Sequence, residues 1–132
     1  VAGAVLENPA TNVDDWVGHL IPWYVRLFLG VDVDTALQGE NNLKRVQQLD
    51  VPLLVVAGSE DNVTSPKMAR RLHRQAGSAE KTLVVVEGGS HNGLYDDPDV
   101  QEAYRRLVQR TITMAEAAQA PSPDEAGATR QK

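Results

Sequence analysis

With 132 residues, 42% of them apolar and 23% charged, and with no cysteine, the chain has the composition of an ordinary globular domain that uses neither disulfides nor a cysteine-held metal. Its formal charge of −5 repels polyanions, which argues against nucleic acid or an anionic membrane surface as partner and leaves small neutral or cationic ligands open. No window reaches the roughly 18 uninterrupted apolar residues of a membrane span; the nearest, Trp16 to Val31, is broken by His19, Pro22 and Arg26.

The opening run Ala2 to Leu6 has strand length and ends at the turn signal Asn8-Pro9. Val1 to Leu6 is too short, and lacks the basic flank, to be a secretory leader, so the chain reads as one entered in mid-fold. Residues 13 to 30 follow with a helical segment opened by Asp14-Asp15, whose charges suit a helix N-terminus, and broken at Pro22. Trp16, Trp23, Tyr24 and Phe28, four of the six aromatics, lie within it. A shorter helix is predicted over Asn42 to Leu49, through Leu43, Val46 and Leu49. The second strand, Leu53 to Ala57, closes at Gly58. Ser65-Pro66 then supplies an N-cap and a first-turn proline for a helix carrying Met68, Ala69, Leu72 and Ala76 as far as Gly77. The third strand, Thr82 to Val86, ends at Gly88-Gly89. Asp97-Pro98 repeats the capping device, and Val100, Ala103, Tyr104, Leu107, Val108 and Ile112 trace one apolar stripe, which places this helix on the sheet. From 116 to 132 the composition shifts to Ala, Pro, Ser, Glu, Gly and Gln, and a disordered tail is expected.

None of the three apolar runs alternates with polar residues, the pattern of parallel strands covered on both faces. The alternation of strands with helices implies right-handed crossovers. The predicted fold class is therefore α/β, with a three-stranded parallel sheet flanked by helices.

In such sheets ligands sit beyond the carboxyl ends of the strands. Two of those loops carry titratable groups: Gly58-Ser59-Glu60-Asp61 after the second strand and Gly88-Gly89-Ser90-His91 after the third. A carboxylate and a histidine on neighbouring loops suit general-base activation of a nucleophile, because the carboxylate accepts Nδ1–H and fixes the tautomer while Nε2 takes a proton. The alternative is structural, with Asp61 a turn-former or cap and His91 a hydrogen-bonded strand-end residue.

The local sequences bear on that choice. Pro52-Leu-Leu-Val-Val-Ala-Gly58-Ser-Glu-Asp61, followed by Gly88-Gly-Ser-His91-Asn, resembles the C-terminal half of α/β-hydrolase serine hydrolases, whose last two strands end in G-x-x-D and G-x-x-H. Gly3-Ala-Val-Leu-Glu-Asn-Pro9 is similar to that family's sixth strand, and Ile21-Pro22-Trp23 and His91-Asn-Gly-Leu-Tyr95 are similar to its branch of acyl-ester and acyl-thioester hydrolases. The resemblance runs from about Ala2 to Ile112. It implies that these are the last three strands of an α/β-hydrolase, that Asp61 is the triad acid and His91 the triad base, and that the substrate is a small-molecule ester or thioester. It also implies a lid or cap helix in residues 13 to 30, with Trp16, Trp23, Tyr24 and Phe28 over an acyl pocket; a core helix packed on the sheet is the competing reading.

The chain departs from the family in lacking the G-x-S-x-G elbow that carries the nucleophile. Ser59, Ser65, Ser78, Ser90 and Ser122 have no such flanks, and Ser90 adjoins His91 too closely to present its oxygen to the same imidazole. The oxyanion loop is missing too, so the nucleophile is expected in an N-terminal half upstream of Val1 and the isolated chain is expected to be inactive. Its first strand would then be an apolar edge prone to self-association. A non-catalytic module or pseudoenzyme binding a partner chain through that edge is the alternative. No cofactor is expected: Gly88-Gly89 with Gly93 does not match G-x-G-x-x-G, and His91 with Asp96, Asp97 and Asp99 matches no metal-ligand spacing. His19 and His73 read as lone helical histidines, and Arg70, Arg71 and Arg74 as a solvated face.

Overall fold

A computed structural model describes residues 2–29 and 41–120. Three strands, β1 (Ala4–Glu7), β2 (Leu53–Gly58) and β3 (Lys81–Val86), form one parallel sheet in the order β1-β2-β3. The register pairs Ala4 with Leu53 and Glu7 with Val56 on one side of β2, and Leu53 with Lys81 and Gly58 with Val86 on the other. The predicted strands and their parallel arrangement are therefore present, each shifted by no more than two residues.

Strand β2 explains why its sequence does not alternate. Every residue of it is buried, because alternate side chains enter two different cores. Leu53, Val55 and Ala57 meet α3 (Asn42–Val46) and α4 (Pro66–Gln75) through Leu43, Val46, Ala69 and Leu72. Leu54 and Val56 meet α5 (Pro98–Gln119) through Val100, Ala103, Tyr104 and Leu107, with Leu94 of a 3-10 turn (Leu94–Asp96) closing that layer. Leu53, Leu54, Val55 and Val56 are each at most 2% exposed, and a side chain buried to that degree contributes about 1.5–3 kcal/mol.

The helix starts follow the capping chemistry read from the sequence. Ser65 accepts the Lys67 N–H ahead of Pro66, and Asp97 accepts the Asp99 and Val100 N–H groups ahead of Pro98. The aromatic segment forms two helices, α1 (Val13–Leu20) and α2 (Trp23–Leu29), separated at Ile21-Pro22. The cap of α1 is Asn12, two residues before the acidic pair, which lies in the first turn as expected; Asp15 accepts hydrogen bonds from Thr11 and Asn12 and pairs with Arg71 of α4.

Helix α5 continues to Gln119, four residues into the expected tail, because Ala115, Ala117 and Ala118 are strong helix formers. Only its first half lies on the sheet. Val108 and Ile112, expected on the buried stripe, are 52% and 46% exposed, since the helix outruns the short strand β3. Residues 121–132 of the expected tail, Ser122 among them, lie outside the described residues, as does Gly30.

Candidate active site

Strand β2 ends at Gly58, and the chain turns through Ser59 and Glu60 to Asp61, whose side chain is fully buried. All the acceptor capacity of that carboxylate is used. Oδ1 accepts the N–H groups of Val63 at 2.7 Å and Thr64 at 3.0 Å; Oδ2 accepts the Thr64 hydroxyl at 2.9 Å and faces His91 Nδ1 at 2.8 Å. Burial by itself would push the Asp61 carboxyl up, but the hydrogen bonds from His91, Thr64 and Val63 outweigh it and hold the group below its ordinary value. The carboxylate is therefore ionised at neutral pH. Being ionised, it can only accept, so Nδ1 of His91 is the donor and Nε2 is the ring nitrogen left to exchange a proton with a reactant. The His91 side chain is 37% exposed, and no described residue bonds to Nε2. The ring is thus oriented by a buried anion and open on its reactive side, the arrangement a general base requires.

The loop bearing His91 is built against the loop bearing Asp61. Gly88 and Gly93 take positive φ of 70° and 78°, which turns the chain on either side of the histidine. The Ser59 N–H donates to the Val86 carbonyl, the Glu60 N–H to the Gly89 carbonyl, and the Gly88 N–H to the Ser59 hydroxyl. The two loops touch so closely that a Cβ on Gly58 would fall 2.2 Å from the Gly89 carbonyl oxygen.

Two residues of this region were not singled out in the sequence. Asn8 is buried, with φ of 44°, and bonds to both loops: its Nδ2 donates to the His91 carbonyl at 2.5 Å, and its Oδ1 accepts the Gly58 N–H at 3.0 Å. Thr64 bridges Asp61 Oδ2 and the Asn8 carbonyl. Asn8-Pro9 reads only as the end of a strand in one dimension, since its partners lie 50 and 83 positions away.

The four aromatics divide. Trp16 donates from Nε1 to the Val63 carbonyl, on the turn that holds Asp61. Trp23 and Tyr24 pack edge to face, and Trp23, Tyr24 and Phe28 are all exposed, Phe28 at 86%. None of the four is among the residues of either core. A cavity of about 510 Å³ lies elsewhere, between α5 and the start of β3, and touches neither Asp61 nor His91. Among the described residues no three His, Asp or Glu side chains converge as metal ligands, and no helix is long and apolar enough to cross a membrane.

Comparison with known proteins agrees with this fold. The family described as Hydrolase_4 (Serine aminopeptidase, S33) matches residues 33–99, half of the chain. An uncharacterized Mycobacterium tuberculosis protein is 29% identical over 119 residues, which cover 87% of this chain and 39% of that one. A pimeloyl-[acyl-carrier protein] methyl ester esterase of Neisseria meningitidis is 27% identical over 112 residues, covering 82% of this chain and 35% of the esterase. Among solved structures, a Pyrococcus furiosus esterase superposes with a TM-score of 0.56 at 13% identity, over 86% of this chain and 44% of that one, a likeness of fold. The chain thus spans about two-fifths of the length of the curated relatives it matches.

Proposed function

The chain belongs to the Hydrolase_4 (Serine aminopeptidase, S33) family, and on that premise we propose that it is the C-terminal part of a serine hydrolase, to which it supplies the acid Asp61 and the base His91. The observation that carries this reading is the 2.8 Å contact between a fully buried carboxylate and Nδ1 of a half-open histidine, both at the carboxyl ends of adjacent parallel strands. In the reaction so proposed, Nε2 of His91 takes the hydroxyl proton of a serine while that oxygen attacks the substrate carbonyl carbon. Asp61 stabilises the imidazolium as it forms. The carbonyl–oxygen or carbonyl–sulfur bond then breaks, and the proton passes from Nε2 to the departing alkoxide or thiolate. Water repeats the sequence and releases the carboxylic acid.

An ester is the substrate class that the esterases among the relatives support, and a thioester enters only through the sequence resemblance given above. The serine and the oxyanion donors lie, in this reading, upstream of Val1, because no serine of the chain stands in a G-x-S-x-G elbow and the relatives are more than twice as long. Helices α1 and α2 border the acyl site, with Trp23, Tyr24 and Phe28 facing the half of the enzyme that completes it.

The test compares the 132-residue chain with the same chain extended by the coding sequence directly upstream. The extended protein should hydrolyse a p-nitrophenyl ester, and Asp61→Asn should lower kcat by about 10⁴-fold while leaving the fold intact. The chain alone should show no turnover. Turnover by the chain alone that disappears in His91→Ala would place the nucleophile inside these residues and overturn the proposal.

A further inference from the structure

Strand pairing alone does not hold the two site loops together. The ladder between β2 and β3 ends at Gly58 and Val86, yet Asp61 and His91 lie three and five residues beyond it, in loops that only cross-loop hydrogen bonds can fix. Asn8, at the end of β1, makes the bonds that reach furthest across.

We infer that Asn8 is a positioning residue that sets the registry of the His91 loop against the Asp61 loop, and so keeps Nδ1 of His91 on Asp61 Oδ2; the inference rests on the functional reading of that pair given above. The side-chain amide supplies one acceptor and two donors, and its orientation is fixed by its partners, since the Gly58 N–H can only donate and the His91 carbonyl can only accept. The main chain of Asn8 does the same on two further sides. Its N–H donates to the Val56 carbonyl, which ties it to β2, and its carbonyl shares the single Thr64 hydroxyl proton with the very carboxylate oxygen that faces His91. One buried residue therefore touches the base's own backbone, the first residue of the acid loop and, through Thr64, the acid itself.

The choice of asparagine follows from these contacts. At φ of 44° glycine would be the least strained residue and asparagine is the next best tolerated, so the amide is what asparagine adds to the turn. An aspartate would keep the acceptor for Gly58 but turn an oxygen toward the His91 carbonyl. It would also place a second anion behind Asp61.

The experiment uses the chain labelled with ring-¹⁵N histidine, in which only His19, His73 and His91 report. In the unaltered chain, ¹⁵N shifts should show His91 fixed as the Nδ1–H tautomer with a low-field Nδ1 proton. The Asn8 carboxamide proton should exchange with water more slowly than that of exposed Asn92. Asn8→Gly, which keeps the turn, and Asn8→Asp, which keeps the acceptor, should each abolish the low-field proton and mix the tautomers while the β2 amides stay protected. In the extended enzyme Asn8→Gly should lower kcat by about 100-fold with little change in KM. Retention of the low-field proton in Asn8→Gly would overturn the inference, since the turn alone would then suffice. Equal exchange of the Asn8 and Asn92 carboxamides in the unaltered chain would overturn it without any variant. A failure of the functional reading is distinguishable: the spectra would respond to Asn8 as stated while Asp61→Asn left ester turnover unchanged.

Discussion

Gly58 is where the close approach of the two loops can be measured directly. Adding a methyl group there sets a carbon 2.2 Å from one carbonyl oxygen and 2.5 Å from the next, both of them main-chain atoms of the His91 loop that cannot rotate away. Gly58→Ala should therefore cost about 1–3 kcal/mol in urea unfolding, and should part the Asp61–His91 contact; an unchanged midpoint would show the loops free to move. The carboxylate offers a second test. Asp61 is held below its ordinary value of 3.8 in the folded protein, so its contribution to stability is complete above that pH and is lost as the pH falls toward the folded value. Asp61→Asn should accordingly flatten the loss of stability below pH 3.8, read as the urea midpoint against pH. A mutant curve parallel to that of the unaltered chain would contradict the buried, hydrogen-bonded carboxylate. Asp61 and His91 were legible in the sequence because Gly58-Ser-Glu-Asp61 and Gly88-Gly-Ser-His91 each set a titratable group three residues past a strand-end glycine, in the pattern of the family they resemble. Asn8 and Thr64 were not, since their role consists of contacts across 50 positions or more.

Strands β1, β2 and β3 were legible from their apolar runs, because strands covered on both faces need unbroken apolar runs and each run here stops at a turn-former. The helix ends were less so: α5 runs on to Gln119 through alanines, whose helix preference outweighs the loss of anything to pack on. The sheet edge at β1 carries an expectation of its own. Ala4 and Asn8 donate to the Pro52 and Val56 carbonyls of the β2 side, so the alternation of a strand turns the Val5 and Glu7 N–H groups to the outer edge, where no described strand meets them. In hydrogen exchange Ala4 and Asn8 should be protected in the isolated chain, while Val5 and Glu7 exchange rapidly and become protected only when the upstream segment is present. Protection of Val5 and Glu7 in the chain alone would instead reveal a partner on that edge, such as a second copy.

Across the whole molecule, the proposed reading makes Asp61 the acid and His91 the base, with Asn8 and Thr64 bonded around them. The nucleophile and the oxyanion donors belong, in the proposed reading, to the rest of a protein of which this chain matches about two-fifths in its relatives. The exposed rings of Trp23 and Phe28 and the open edge of β1 are consistent with a surface that another part of the enzyme covers. The charge of −5 sets no barrier to the neutral ester of the proposed reaction.

If Asp61 and His91 activate a serine outside these residues, as proposed, covalent labelling will find it. A fluorophosphonate reacts at an appreciable rate only with a serine whose proton a neighbouring base removes. Applied to the chain extended upstream and located by mass spectrometry, the adduct should fall on a serine ahead of Val1, and His91→Ala should slow its formation by at least about 100-fold. An adduct on Ser59, Ser65, Ser78, Ser90 or Ser122, or a labelling rate indifferent to His91, would contradict the proposal.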